Sequence, residues 1–283
     1  EFLVNGGQTA AVWELSVSVT DPGAEDCWYL TAPYHYPADG TTMSSLRETL
    51  GNLRMGVYVE ELTPDNAALY GLDSPCFQIR IHMQAALVNQ TDSGGAVSQL
   101  LKPESEVLIQ IGAARNEYVR YATCGNAIYT MSRFQLDDLI ALSPEDTASR
   151  YLVPVALESL AELTVLHEAE TVRYTLTHLT NETTGESSFE CQRDNQTFSA
   201  LAFESAYNRL ENVTVSGNLP AGWSASEEPH TTFVFLSREG QRYTVALTPY
   251  DPLHDAVVVN GTALFYLIRG GMVFEPTEES GKT

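Results

Sequence analysis

Among the 283 residues of this chain, the densest set suited to chemistry is Tyr250-Asp251-Pro252-Leu253-His254-Asp255. Two carboxylates and an imidazole so close together could hold a divalent metal or act as an acid/base pair. Yet D-x-x-H-D matches no ligand spacing of known geometry, and a proline-containing turn with Asp as turn former is the simpler expectation. The corresponding stretch of the first half, Ala113-Ala114-Arg115-Asn116-Glu117, keeps no such set. A second group is Glu60, Glu61, Asp65 and Asp73. Paired acids of this kind do glycosidase chemistry when they stand about 5–9 Å apart in a cleft. Glu61 and Asp65, however, flank an expected helix start, where their charge suits the dipole.

Other reaction centres leave no trace in the sequence. It contains no G-x-S-x-G nucleophile elbow and no phosphate-cradling glycine loop, so no cofactor and no catalytic residue is implied. His35, His82, His167, His178 and His230 are dispersed, and His82 sits on an alternating stretch as an ordinary sheet residue. Cys27, Cys76, Cys124 and Cys191 lack the C-x-x-C spacing of zinc or redox sites. They are expected to be buried or half-buried thiols, with one disulfide left open. Aromatic residues remain. Trp28, Tyr29, Tyr34 and Tyr36 lie near one loop, and Tyr118, Tyr121 and Tyr129 on one hairpin, where cross-strand pairing explains most of them. The candidate surface is therefore Tyr36, Tyr118, Tyr121, Asp251, His254 and Asp255.

The elements that must position these residues follow from periodicity. Val12–Val19 and Cys27–Thr31 alternate as strands around an Asp21-Pro22-Gly23 turn. Thr41 or Thr42 caps a helix with Met43, Leu46, Leu50 and Leu53 on one face. Met55–Leu62 leads out as a strand. Thr63 and Pro64 then open a short helix that Gly71 ends in the left-handed conformation, and Pro75 precedes a strand over Phe77–Met83. Thr91 to Gly95 reads as a Ser/Gly-rich loop. Strands at Glu106–Gly112, Glu117–Thr123 and Ala127–Ser132 follow, then a helix at Arg133–Leu142.

The second half reads the same way. Strands are expected at Leu160–His167, Thr171–Thr180 and Ser187–Arg193, then a helix at Phe198–Leu210 with Leu201, Ala202, Ala206 and Leu210 inward. A strand at Thr231–Phe235, another at Arg242–Leu247 and a hairpin turned by Asn260-Gly261 complete it. The expectation is an α+β fold of two tandem copies of an antiparallel-sheet-plus-helix unit, at 1–155 and 156–274, with an acidic tail at 275–283.

The ordered set Trp28-Tyr29-Leu30, Leu46/Leu50/Leu53, Tyr70-Gly71-Leu72-Asp73-Ser74-Pro75, Ile109 to Gly112 and Tyr118 to Tyr129 resembles the bacterial family known as domain of unknown function 4340. The resemblance covers roughly residues 10–142 and fades afterwards, where Trp223 to Pro229 lacks the Tyr-Gly-Leu. It implies an exported protein tethered by an N-terminal membrane segment, in some cases beside transporter components. It carries over no catalytic residue. The structural-motif residues of the chain are Tyr70, Gly71, Leu72, Asp73, Pro75 and Gly112, together with the hairpin turn Asn260 and Gly261.

A net charge of -22 with 43% hydrophobic residues fits a globular, soluble chain and repels nucleic acid and anionic lipid. No apolar run reaches the length of a membrane span, and the start at Glu1-Phe2-Leu3-Val4 suggests an ectodomain whose export or anchor segment has been removed. Five Asn-x-Thr sites, at Asn89, Asn181, Asn195, Asn212 and Asn260, read as turn composition in a bacterial protein. The expected role is non-enzymatic binding, outside the cytoplasm, of a protein or envelope component. A metal- or carboxylate-dependent hydrolase of envelope polymers and a structural spacer are the alternatives.

Overall fold

The computed structural model describes residues 2–4, 11–18, 27–83, 85–91, 97–180, 187–220, 222–269 and 274–276. The expected turn at Asp21-Pro22-Gly23, the loop around Gly94-Gly95, the Asn181 site and tail residues 277–283 lie outside them. The chain divides into two compact units, Glu1–Ala148 and Ser149–Thr283. The class is α+β as expected, although strands dominate.

The first unit contains β1 (Phe2–Val4), β2 (Ala11–Ser18), β3 (Cys27–Ala32) and β4 (Tyr36–Pro37), then helix α1 (Gly40–Gly51). After it come β5 (Tyr58–Glu61), β6 (Phe77–Met83), β7 (Ala86–Thr91) and β8 (Val97–Lys102). The last elements are β9 (Ser105–Ala114), β10 (Val119–Cys124), β11 (Ala127–Ser132), α2 (Arg133–Ala141) and α3 (Pro144–Thr147). Nine strands join in the order β4-β3-β2-β1-β6-β9-β10-β11-β5, and β7 pairs separately with β8.

The second unit contains β12 (Leu160–His167), β13 (Glu170–Thr180), β14 (Ser187–Arg193), β15 (Gln196–Phe198) and helix α4 (Ala200–Glu211). It continues with β16 (Gly217–Asn218), β17 (Thr231–Ser237), β18 (Arg242–Pro249), β19 (His254–Val259) and β20 (Thr262–Ile268). Its sheet order is β15-β14-β13-β12-β17-β18-β19-β20-β16. Strand β17 alternates between buried and half-buried residues, as a strand with one covered face must. Phe233 and Phe235 point inward from it, and each such side chain contributes about 1.5–3 kcal/mol on burial.

Several sequence expectations shift. Asp39, not Thr41 or Thr42, caps α1: its carboxylate accepts the Thr42 N–H at 2.7 Å. Helix α4 buries Phe203, Ala206, Tyr207 and Leu210, while Leu201 is exposed. The two aromatic rings one turn apart stack at 5.6 Å, and that pairing fixes which face turns inward. The stretch after β5 is a turn at Thr63–Asn66 and a 3₁₀ helix over Ala67–Tyr70 rather than a helix from Thr63. The β7–β8 hairpin was not expected at all. Cys191 is buried and Cys76 half-buried, but Cys124, beside the β10–β11 turn, is exposed; all three are free thiols.

Gly71 has φ +64, as its place at a helix end requires. Its partner is Gly112 on β9. A Cβ on Gly112 would stand 2.2 Å from the Tyr70 carbonyl oxygen, and one on Gly71 would stand 2.8 Å from the Ala113 nitrogen. The Tyr70-Gly71-Leu72 segment can thus lie directly on the β9 backbone, and Leu72 is buried there. Gly112→Ala is expected to cost about 3 kcal/mol or more, because the obstacle is backbone that cannot rotate away. Gly51→Ala, with open space around it, is expected to leave the melting temperature unchanged or slightly raised. Equal melting temperatures for the two variants would contradict this packing.

Candidate functional site

The sequence cluster at Asp251, His254 and Asp255 does not converge. Residues 254 and 255 are consecutive on β19, so their side chains leave opposite faces of the sheet. Asp251 Oδ1 accepts the N–H of Leu253 at 2.7 Å and of His254 at 2.8 Å, and the His254 Nδ1 lies 2.9 Å from the same carboxylate. This is an Asx-type turn closed by an imidazole. The bonds from Leu253 and from the His254 ring hold the Asp251 carboxyl below its usual range. On that face His254 meets Tyr266 edge-on at 5.1 Å, Tyr266 stacks on Tyr250 at 5.5 Å, and Tyr250 meets Trp223 at 5.7 Å.

Asp255 belongs to the other face and is 3% exposed, which corrects its assignment to the surface. Its Oδ1 accepts from Arg269 Nε at 2.8 Å. Its Oδ2 stands 3.2 Å from His230 Nε2, an electrostatic approach rather than an aligned hydrogen bond. His230 Nδ1 and His167 Nδ1 each lie 2.9 Å from the Thr231 hydroxyl. A hydroxyl has one proton, so it donates to one imidazole and accepts from the other. The Asp255 carboxylate favours the proton on His230 Nε2. In neutral form, His230 then accepts from Thr231 at Nδ1, and His167 donates its Nδ1–H to Thr231. A directed chain results, from His167 through Thr231 and His230 to Asp255, closed by Arg269.

Register builds this chain. His167 ends β12 opposite Thr231, which opens β17, and Asp255 lies near the start of β19. Sequence reasoning saw His167 and His230 as dispersed, because only the β12–β17 pairing brings them to one hydroxyl. Chemically the arrangement has the form of a hydroxyl, a base and an orienting carboxylate. Thr231 is 2% exposed, however, and a nucleophile must meet its substrate. Among the described residues, no group of three His, Cys, Asp or Glu side chains is arranged to hold a metal ion.

The other sequence candidates also have structural partners. Tyr36 is fully buried in the first unit's core, not on a surface, because β4 pairs with β3 and turns the ring inward. Tyr121 packs edge-on against Tyr70 at 4.7 Å. The Tyr70 hydroxyl donates to Glu60 at 2.6 Å, and that bond raises the Tyr70 pKa. Glu60 also accepts from Asn66, so the acidic group around it is tied to the 3₁₀ segment. Tyr118 alone of the three tyrosines is exposed. Asn260 (φ +48) and Gly261 (φ +84) form the expected turn between β19 and β20. His82 pairs with Glu104 at 3.2 Å.

Fold and site together define a sheet-rich α+β protein. The chain belongs to the family described as domain of unknown function 4340 (DUF4340), whose family model matches residues 28–232. The match runs well past residue 142 and into β17. Neither the curated proteins nor the solved structures offer a match to the chain. Among the described residues, no helix is long and apolar enough to cross a membrane.

Arg269→Met would strand the Asp255 carboxylate with His230 alone, and removing one member of a buried pair costs about 3–5 kcal/mol. Asp255→Asn is expected to cost less, because Arg269 is 40% exposed and can be hydrated. Chemical denaturation of both variants checks the order; an equal or reversed order would overturn the structural role given to Arg269. A lowered carboxyl pKa contributes stability above the ordinary value of 3.8, lost as pH falls through the folded value. Amide exchange at Leu253 and His254 should therefore accelerate, relative to neighbouring amides, only below about pH 3.8.

Proposed function

We propose that the chain is a non-enzymatic binding module acting outside the cytoplasm, built from two tandem copies of one unit. The two sheet orders support the duplication. They correspond strand for strand, from β4 and β15 at one edge to β5 and β16 at the other, with β7–β8 inserted between β6 and β9. In both, a twelve-residue helix follows the fourth strand. The acidity of the chain and its family resemblance to exported, tethered proteins support the location.

One observation carries the binding reading. Strand β5 ends the first unit's sheet; its first residue, Tyr58, is 54% exposed although its ring meets Tyr129 edge-on, and Val57, just before it, is 69% exposed. An edge strand offers unpaired backbone groups to another chain, and apolar side chains on it add buried area on docking. The partner proposed is a protein or envelope component beside the membrane, with a basic or neutral contact surface that tolerates the net charge of -22. The hydrolase alternative rests on the Asp255–His230–Thr231 arrangement and requires the buried Thr231 hydroxyl to become accessible.

A photo-crosslinking residue in place of Tyr58 is expected to capture one discrete partner in native envelopes. The same residue in place of Glu239, on the exposed β17–β18 turn, is expected to capture none. Equal or absent capture at Tyr58 would contradict the reading.

A further inference from the structure

We propose that the second unit holds a binding site for a small ammonium-bearing ligand with an aliphatic body. The site is a cavity of about 200 Å³, below the roughly 300–1,000 Å³ of drug-sized pockets. It lies between the outer end of the β13–β14 hairpin, helix α4 and the turn before β12. The last rungs of that hairpin, His178↔Phe189, Leu179↔Ser188 and Thr180↔Ser187, form one wall.

The lining is rich in acceptors. Glu204 is half-buried on α4, Glu158 stands on the turn, and neither carboxylate has a hydrogen-bond or ion-pair partner among the described residues. His178 adds a third acceptor. Its Nε2 lies 2.7 Å from the Leu160 carbonyl oxygen, which can only accept, so Nε2 carries the proton. The Nδ1 of the neutral ring is then a lone pair. Arg238 is the competing cation, and its Nη1 is tethered to the Glu158 carbonyl at 3.3 Å.

The opposite requirement, an apolar body, follows from the remaining lining. Leu157 and the Phe189 ring supply it, Phe189 being on the same face of the hairpin as His178. The Phe189 ring is held between His178 at 5.9 Å and Phe203 at 6.2 Å. An ammonium group can meet the carboxylates, His178 and the face of an aromatic ring, while its hydrocarbon rests on Leu157 and Phe189. The negative charge of the whole chain favours the arrival of cations. Such an ammonium could belong to a free amine or to the N-terminus of a peptide. This site is separate from the β5 edge and stands or falls independently of it.

Calorimetric titration of the full chain with isopentylamine tests the site, with isopentanol as the neutral isostere. The expected result is binding of the amine, none of the alcohol, and affinity about tenfold weaker in Glu204→Gln at an unchanged melting temperature. Leucyl-glycine and N-acetyl-leucyl-glycine distinguish the sources: binding of the first but not the second extends the site to peptide termini. Should Glu204→Gln fail to fold, Glu158→Gln and the cavity-filling Ser187→Leu, on the face of His178 and Phe189, serve in its place, each expected to weaken binding. Failure of every ammonium probe at millimolar concentration, equal binding of isopentanol, or undiminished binding by the folded variants would overturn the proposal.

Discussion

An antiparallel sheet of nine strands presents two faces to water, and each unit of this chain has one twelve-residue helix to cover one of them. That constraint governs the rest. Side chains alternate along every strand, so each position belongs to one face or the other, and at residues 245–248 and 255–257 of β18 and β19 both faces are covered. Helix α1 packs against β3 and helix α4 against β14. Met43 and Leu46 from the first, and Phe203, Tyr207 and Leu210 from the second, complete the covered faces.

The same alternation decides where chemistry is possible. It sends Asp255 into a buried ion-pair network and His254 onto the aromatic face, although the two are neighbours in sequence. A buried carboxylate needs partners, and Arg269 with His230 supplies them. The His167–Thr231–His230 chain then satisfies polar groups at the ends of β12 and β17. Gly71 and Gly112 express the constraint in another form: a connecting segment can lie on a strand backbone only where no Cβ intervenes.

Local signals made much of this fold legible. The bounds of Leu160–His167, Ser187–Arg193 and Ala127–Ser132 follow from period-two patterning and turn residues, and the strands fall there. Asn260-Gly261 and Gly71 announced positive φ correctly. The very short strands β1, β4 and β16 left no pattern to find, since two or three residues cannot establish a period. Thr41 and Thr42 read as caps in sequence, but the Asp39 carboxylate is the acceptor that reaches the first turn. The site was the least legible part. His167, His230, Asp255 and Arg269 are spread over more than a hundred positions, and only strand register gathers them.

The proposed function takes the polar chain at the strand ends of the second unit as a structural lock. The most direct test is the melting temperature of the whole chain with zinc, manganese, magnesium or calcium added in turn. Native-state binding at a formed metal site would raise it by mass action. The account predicts no specific rise with any of the four. A rise with one metal that disappears in both His230→Ala and Asp255→Asn would contradict it and move the weight to metal-dependent hydrolysis.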